Sequence, residues 1–473
     1  MVGLQILSAA QSTATQNPPA QNPGSDDASA RTAPAAALSG IVGMEGDSDA
    51  GDTSSTLPQI PGLLGGVGIS PAFLSEMERS NYLRAGVNVG ATYDDNPLLL
   101  TTGEENTSET IFPNIKIDHT SSRTRWTLGY AGGLTVNQRF TNQNQGSHSL
   151  NFDSQYRLSP HVNLRVAENF SLTTGLFDAG NGADQGGGTG GLNPSLVTPL
   201  ASQRSSLTTV ETNYHFALKD LIGASGSFND THFSNPAGGA QLQLTDTQTS
   251  TGSAFWLHQI FPGNWGGVTY RFDRITFDAG AGETKVHSFL AVDAFNLSTR
   301  FTLTGFIGPQ YSENDGLAPG AQSPTQTNTW SVAGGAEGSW KSQHNSLTAG
   351  YSRTISDGGG VLGAERLQMV RGSFRRQLTP AWAVALTGSR GTNQALTVPF
   401  SGSASSINLT SAGFSLERNI GKSIGFRMGY SHDFQEQFGV PGPTPTSPLQ
   451  TLDASRNRFF VTLSYQWAKP LGL

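Results

Sequence analysis

Charged side chains recur in this chain at alternate positions, inside segments whose intervening positions are apolar or aromatic. Arg84, Lys116, Arg125, Arg157, Arg165, Arg271, Arg427 and Arg458 supply the cations of this set. Asp118, Asp153, Glu211, Asp273, Glu337 and Glu417 supply the anions. On a strand, a period of two gathers such groups on one face. A ring of one sign sets ion selectivity in a pore. Here the two signs nearly cancel, which suits ion pairs that satisfy one another, with a slight lean toward anions from the excess of cations. The set reads as the lining of a polar lumen.

Other constellations are weaker. Asp94-Asp95-Asn96 offers hard oxygen ligands of the kind calcium takes, but the spacing is not that of an EF-hand loop, and an Asx turn is the simpler reading. The run Gly186-Gly187-Gly188-Thr189-Gly190-Gly191 lacks the Gly-Lys-Ser/Thr ending of a phosphate loop. The nine histidines show no ligand spacing. Ser206, Glu211 and His215 are the nearest approach to a nucleophile with a base, and no G-x-S-x-G elbow is present. No catalytic set, cofactor or metal site is expected. The absence of cysteine excludes disulfides and thiolate-ligated metals.

The elements that must position the charges are strands. From Phe459 to Trp467 the odd positions read Phe, Val, Leu, Tyr, Trp, against Phe460, Thr462, Ser464 and Gln466 between them. Leu83 to Tyr93, Trp126 to Val136, Leu150 to Leu158, Val162 to Leu172, Thr208 to Leu218, Trp330 to Trp340 and Ile424 to Tyr430 repeat the pattern. The connections alternate in length. Short ones, such as Leu158 to His161, Phe261 to Asn264 and Ile420 to Lys422, carry Pro, Gly or Asn. Long ones run Asp94 to Glu109, Thr174 to Gln203, Ser234 to Leu244, Ser312 to Asn328, Asn393 to Ser406 and Gln435 to Asp453. Short turns on one rim and long loops on the other mark a transmembrane β-barrel. The tryptophans, Trp126, Trp256, Trp265, Trp330, Trp340, Trp382 and Trp467, lie near strand ends, as a membrane-interface belt requires.

Composition agrees. Charged residues make up 13% of the 473, against roughly 25% in ordinary soluble domains. Hydrophobic residues are only 36%. A wall with one face on lipid and one on a polar lumen explains both values. No run approaches the about 18 apolar residues of a membrane helix. A net charge of −7 without Lys/Arg runs disfavours nucleic acid as a partner. The predicted fold is all-β: a closed antiparallel transmembrane barrel over residues 81–467, with about eighteen strands, or sixteen as the alternative. Residues 1–10 resemble the end of a secretory signal without its positive region. Residues 11–80 read as a disordered acidic and polar linker, in which Ile60 to Phe73 is apolar enough for a small plug or simply a collapsed patch. Residues 468–473 read as a short tail.

The first strand and its exit, Val89 to Leu99 (VGATYDDNPLL), resemble the outer-membrane barrels grouped as β-barrel porin 2, and related barrels associated with exopolysaccharide systems. Tyr93, Asp94, Asp95 and Asn96 carry the match. The resemblance implies a bacterial outer-membrane location, lipid and lipopolysaccharide around the wall, and delivery by the barrel-assembly machinery; an even strand count sets both termini on the short-turn, periplasmic side. The expected function is a porin-like channel for passive passage of small hydrophilic solutes. The alternatives are an outer-membrane component of exopolysaccharide export, with polysaccharide as the cargo, and a surface-display or adhesion barrel with binding loops.

Overall fold

A computed structural model describes residues 81–97, 103–139, 144–174, 202–234, 245–278, 282–316, 325–358, 363–396, 406–421, 423–440 and 450–471. The expected signal remnant, the linker with its Ile60 to Phe73 stretch, and the glycine run lie outside these residues. The described residues form eighteen strands: β1 (Tyr82–Asp94), β2 (Asn106–Thr120), β3 (Thr124–Asn137), β4 (Gln145–Arg157), β5 (Val162–Thr174) and β6 (Ser202–Ala217); β7 (Asp220–Ser234), β8 (Thr247–Phe261), β9 (Asn264–Phe277), β10 (Gly282–Ser298), β11 (Phe301–Gly316) and β12 (Thr325–Lys341); β13 (Asn345–Ser356), β14 (Glu365–Gln377), β15 (Trp382–Ala395), β16 (Ser406–Ile420), β17 (Ile424–Val440) and β18 (Gln450–Pro470).

Each strand pairs antiparallel with its sequence neighbours, and β1 pairs with β18, so the sheet closes. Closure satisfies the backbone without a free edge, the condition for strands in lipid. The tight turns gather at one rim. In the Phe261-Pro262-Gly263-Asn264 turn, Gly263 takes φ 87°, a left-handed conformation that glycine adopts without a Cβ clash.

Alternation sets the two faces. Val89, Ile111, Leu134, Val268, Ile307, Val370, Val461 and Leu463 are exposed on the outer face, while their sequence neighbours point into the lumen. Trp126, Trp256, Trp340, Trp382 and Trp467 stand on the outward alternation toward the turn-side rim, and Trp330 stands toward the loop side. They form the expected belt, with the Arg418 guanidinium 5.0 Å above the Trp382 ring. Trp265 is the exception. It is buried and points inward, where it joins Leu221, Phe255, Leu257, Leu290, Val292, Ala294, Phe306 and Ala333 in an apolar cluster. Its position directly after the turn left its parity open in sequence. Some charged residues depart the other way: Glu168 lies on the outward alternation, accepting hydrogen bonds from Ser206 Oγ at 2.8 Å and from Thr208 Oγ1.

Strands run further than the sequence pattern indicates. β11 and β12 extend to Gly316 and from Thr325, through most of the expected Ser312 to Asn328 loop. β17 and β18 likewise enter the expected Gln435 to Asp453 loop. The β11 and β12 extensions are polar on both faces, and those of β17 and β18 hold only Phe438, Val440 and Leu452 as apolar residues, so there is little alternation to read. At the other rim β18 continues through Ala468 to Pro470, where Pro470 lies opposite Tyr82.

Candidate functional site

Every residue of the expected lining falls on the inward alternation of its strand, and most are brought into pairs. Near the turn-side rim, Arg84 Nε lies 3.7 Å and Lys116 Nζ 3.6 Å from the Asp118 carboxylate, which also accepts a hydrogen bond from Thr127 Oγ1. Register explains the grouping, since Arg84 is opposite Lys116 across the β1–β2 ladder. Arg165 meets Asp153 at 2.5 Å across β4 and β5. Glu211, opposite Arg165 on β6, accepts a hydrogen bond from Asn213 Nδ2 at 2.9 Å. Arg271 and Asp273, two apart on β9, pair at 2.6 Å. Arg125 and Arg157 stand at the turn-side ends of β3 and β4.

Sequence reasoning missed several partners. Arg371 on β14 meets Glu337 at 2.6 Å. Arg375, also on β14, donates to Glu417 at 2.9 Å, and Arg427 lies 3.8 Å from the same carboxylate. Toward the loop side, Asp94, Arg456, Asp433 and Arg458 form a buried network of two cations and two anions. Arg456 Nη2 is 2.5 Å from Asp94, and Arg458 Nη2 is 2.8 Å from Asp433. Ser411 Oγ donates to Asp433 at 2.6 Å. The outward Val370 and Phe374 were the local signal for Arg371 and Arg375, and the inward Leu367 and Met369 obscure it. No local signal links Asp94 to Arg456.

The Tyr93 to Asn96 motif thereby acquires a structural role. Asp94 Oδ1 accepts the Asn96 amide at 3.1 Å, the Asx turn expected. Asp95 accepts from the Asn457 amide and from Asn457 Nδ2, both at 2.6 Å. Asn96 Nδ2 donates to the Ser455 carbonyl at 2.9 Å. With Arg456 on Asp94, these contacts clasp the first strand to the last at the loop side. The arginine neutralises the carboxylate that a cation would need, so the motif is a closure device.

The lumen is divided by chemistry. On β7 to β11, the inward positions of the described strands carry one charged pair, Arg271 and Asp273, and otherwise polar, glycine and apolar residues, including most of the apolar cluster. The remaining charges named here line the wall from β12 through β18 and β1 to β6. Depth also matters. The turn-side charges are partly open, with Arg84 and Lys116 side chains 23% and 25% exposed. In the loop-side half, Asn137, Ser312, Asn314 and Asn393 are fully buried.

One further cluster lies outside this lining. His232 Nδ1 is 2.8 Å from Asp246, with Asp278 nearby, on the loop side of β7 to β9. His232 Nε2 lies 3.0 Å from Asp230, so both ring nitrogens are already engaged by carboxylates.

No protein-family profile matches the chain, and no curated protein matches it. Solved structures do. OpdK of Pseudomonas aeruginosa matches at 10% identity and TM-score 0.40, over 82% of this chain and 99% of that one. OpdQ of the same organism matches at 11% and 0.41, over 83% and 100%. The FrpB iron transporter of Neisseria meningitidis matches at 8% and 0.41, over 87% and 86%. Likeness at this level carries no argument about a solute; only the wall and its lining bear on that. With an apolar outer face, outward tryptophans near the rims and a charged interior, the described residues form a closed eighteen-stranded antiparallel barrel.

Proposed function

We propose that the chain is an outer-membrane channel for passive passage of small hydrophilic solutes, with a preference for anions. The observation that carries this reading is the charge at the turn-side mouth. Within four residues of that rim, the inward positions hold Arg84, Lys116, Arg125, Arg157, Arg165, Lys341, Arg375 and Arg427 against Asp118, Asp153, Glu337 and Glu417. A mouth with this excess raises the local concentration of anions. A wall of eighteen strands encloses a lumen wide enough for water, and the buried loop-side half makes conductance smaller than that of an open tube. In this reading the outer belt meets lipid and lipopolysaccharide, and the turn-side rim faces the periplasm.

Purified protein in a planar bilayer under a KCl gradient is expected to give a reversal potential on the chloride side. Replacing Arg84 and Arg157 together by glutamine should move it toward potassium, leaving the barrel assembled. A folded protein that passes no current, or one selective for cations before substitution, would sink the proposal.

A further inference from the structure

The ladder between β12 and β13 stops well short of the end of β12. β12 pairs with β11 along its whole length, from Thr325 opposite Gly316 to Trp340 opposite Phe301. Its pairing with β13 covers only Gly334 to Lys341, and stops at Gly334 opposite Arg353. Among the described residues, Thr325 to Ala333 therefore pair with no strand on that side. The break reaches into the lipid-facing belt. Trp340 and Trp330, both outward, are ten positions apart, the number of strand residues that crosses the hydrocarbon (about 9–11). Ser331, Val332 and Ala333 lie between them and above the last pair. Unpaired strand backbone does not face hydrocarbon; it is tolerated where it lines a cavity.

The end of β13 lies beside this break. Ile355, on the outward alternation, is 7% exposed, whereas Leu347 and Tyr351 on the same alternation are 43%. Beyond it Gly358 and Gly363 lie close together: their φ values are 67° and 66°, and a Cβ on Gly358 would fall 2.0 Å from the Gly363 carbonyl oxygen. Ala364 then packs on Ile275 and Phe277, inward residues of β9. Ala364, directly before β14, is thus drawn toward the lumen beside the place where the β12–β13 ladder stops.

The gap is lined for an amphipath. Phe306 and Ala333 lie on its lumenal side, at the edge of the apolar cluster, and Trp330 and Val332 lie on its lipid side, exposed by 69% and 52%. Arg353 and Arg366 stand on the outward alternation beside it, with Arg366 opposite Ile355. The Nε atoms of both arginines are buried without a hydrogen-bond partner. A guanidinium in that state is suited to a carboxylate or phosphate.

We propose that the gap between β12 and β13 is a lateral portal through which anionic amphipathic small molecules pass between the lumen and the bilayer. The chain contains no cysteine, so a lock can be placed cleanly. Continued register would set Val332 opposite Ile355, and cysteines at both positions would close the portal on oxidation. The probe is a fluorescent dodecanoate, followed as it enters the membranes of intact Gram-negative cells expressing the protein. Entry is expected to exceed that of non-expressing cells severalfold, to fall to their level on oxidation, and to recover with reductant. Ion current through the oxidised protein in a planar bilayer should persist, which separates this portal from the axial channel. Ala333→Trp, which fills the lumenal side without a disulfide, should also slow entry, and Arg353→Gln with Arg366→Gln should slow it while sparing ion current. Entry indifferent to these changes would overturn the portal. So would an equal loss of probe entry and ion current, or cross-linking of Val332→Cys between two chains, which would make the β12 edge a pairing surface.

Discussion

Asp94→Ala is expected to be among the most destabilising single substitutions in this wall. Arg456 is 1% exposed, and its Nε donates to Asp94 Oδ2 at 2.6 Å. Removing one partner of a buried ion pair strands the other charge, at a cost of about 3–5 kcal/mol. Asp433, opposite Arg456 on the β17–β18 ladder, is already held by Arg458 and Ser411. It cannot take over without giving up those bonds. Asp95→Ala removes only hydrogen bonds to Asn457 at a less buried position, and a smaller loss of about 1–2 kcal/mol is expected. Replacing Asp94 and Arg456 together by leucine and methionine should recover much of the stability, because no charge is then left alone. The measurement is the unfolding midpoint in detergent, read from the gel shift between folded and heat-denatured forms. A midpoint for Asp94→Ala equal to that of the parent would refute the clasp, and so would a double variant worse than either single one.

That clasp marks the boundary of what the sequence displays. The faces of β1, β3, β4 and β18 were legible because a wall between lipid and lumen imposes a period of two, and Val89, Leu134, Leu150 and Leu463 obey it. The inward placement of the fourteen expected lining residues follows from the same constraint. What alternation cannot supply is partnership. Asp94 and Arg456 are separated by 362 positions, and only closure of β1 on β18 makes them neighbours. Arg371 and Arg375 were hidden differently: the Arg375-Arg376 step places one arginine on each face, so a basic pair in sequence is divided by the pleat. The gap beside β12 has no sequence signature either, since Thr325 to Asn328 are polar throughout and read as loop. It lies beside the packing of Ala364 on Ile275 and Phe277, residues far apart along the chain. Trp265 shows the converse limit. An aromatic near a strand end suits an interface belt or an inward cluster equally well, and only its parity relative to the turn decides.

The second large effect concerns the lipid face. Phe426 on β17 and Leu463 on β18 are opposite one another and outward, while Arg427 and Thr462, the next pair, point inward. Leu463 stands four positions above the belt residue Trp467, which raises it about 10 Å along a tilted strand. That is near the middle of an apolar band about 25 Å tall. An arginine there costs about 2–4 kcal/mol, so Leu463→Arg is expected to cut the yield of assembled, heat-modifiable barrel sharply. Phe426→Arg should act in the same direction, and the double variant should be worse because two cations would then face each other across one ladder step. Thr462→Ala should assemble as the parent does. Arg427→Ala should also assemble, since Glu417 retains its bonds from Arg375. The comparison is internal: four substitutions on two adjacent ladder pairs at like depth, a cation added on the outward face and a polar group removed on the inward one. Equal yields from the inward and outward members would mean that the faces are reversed at this seam of the barrel.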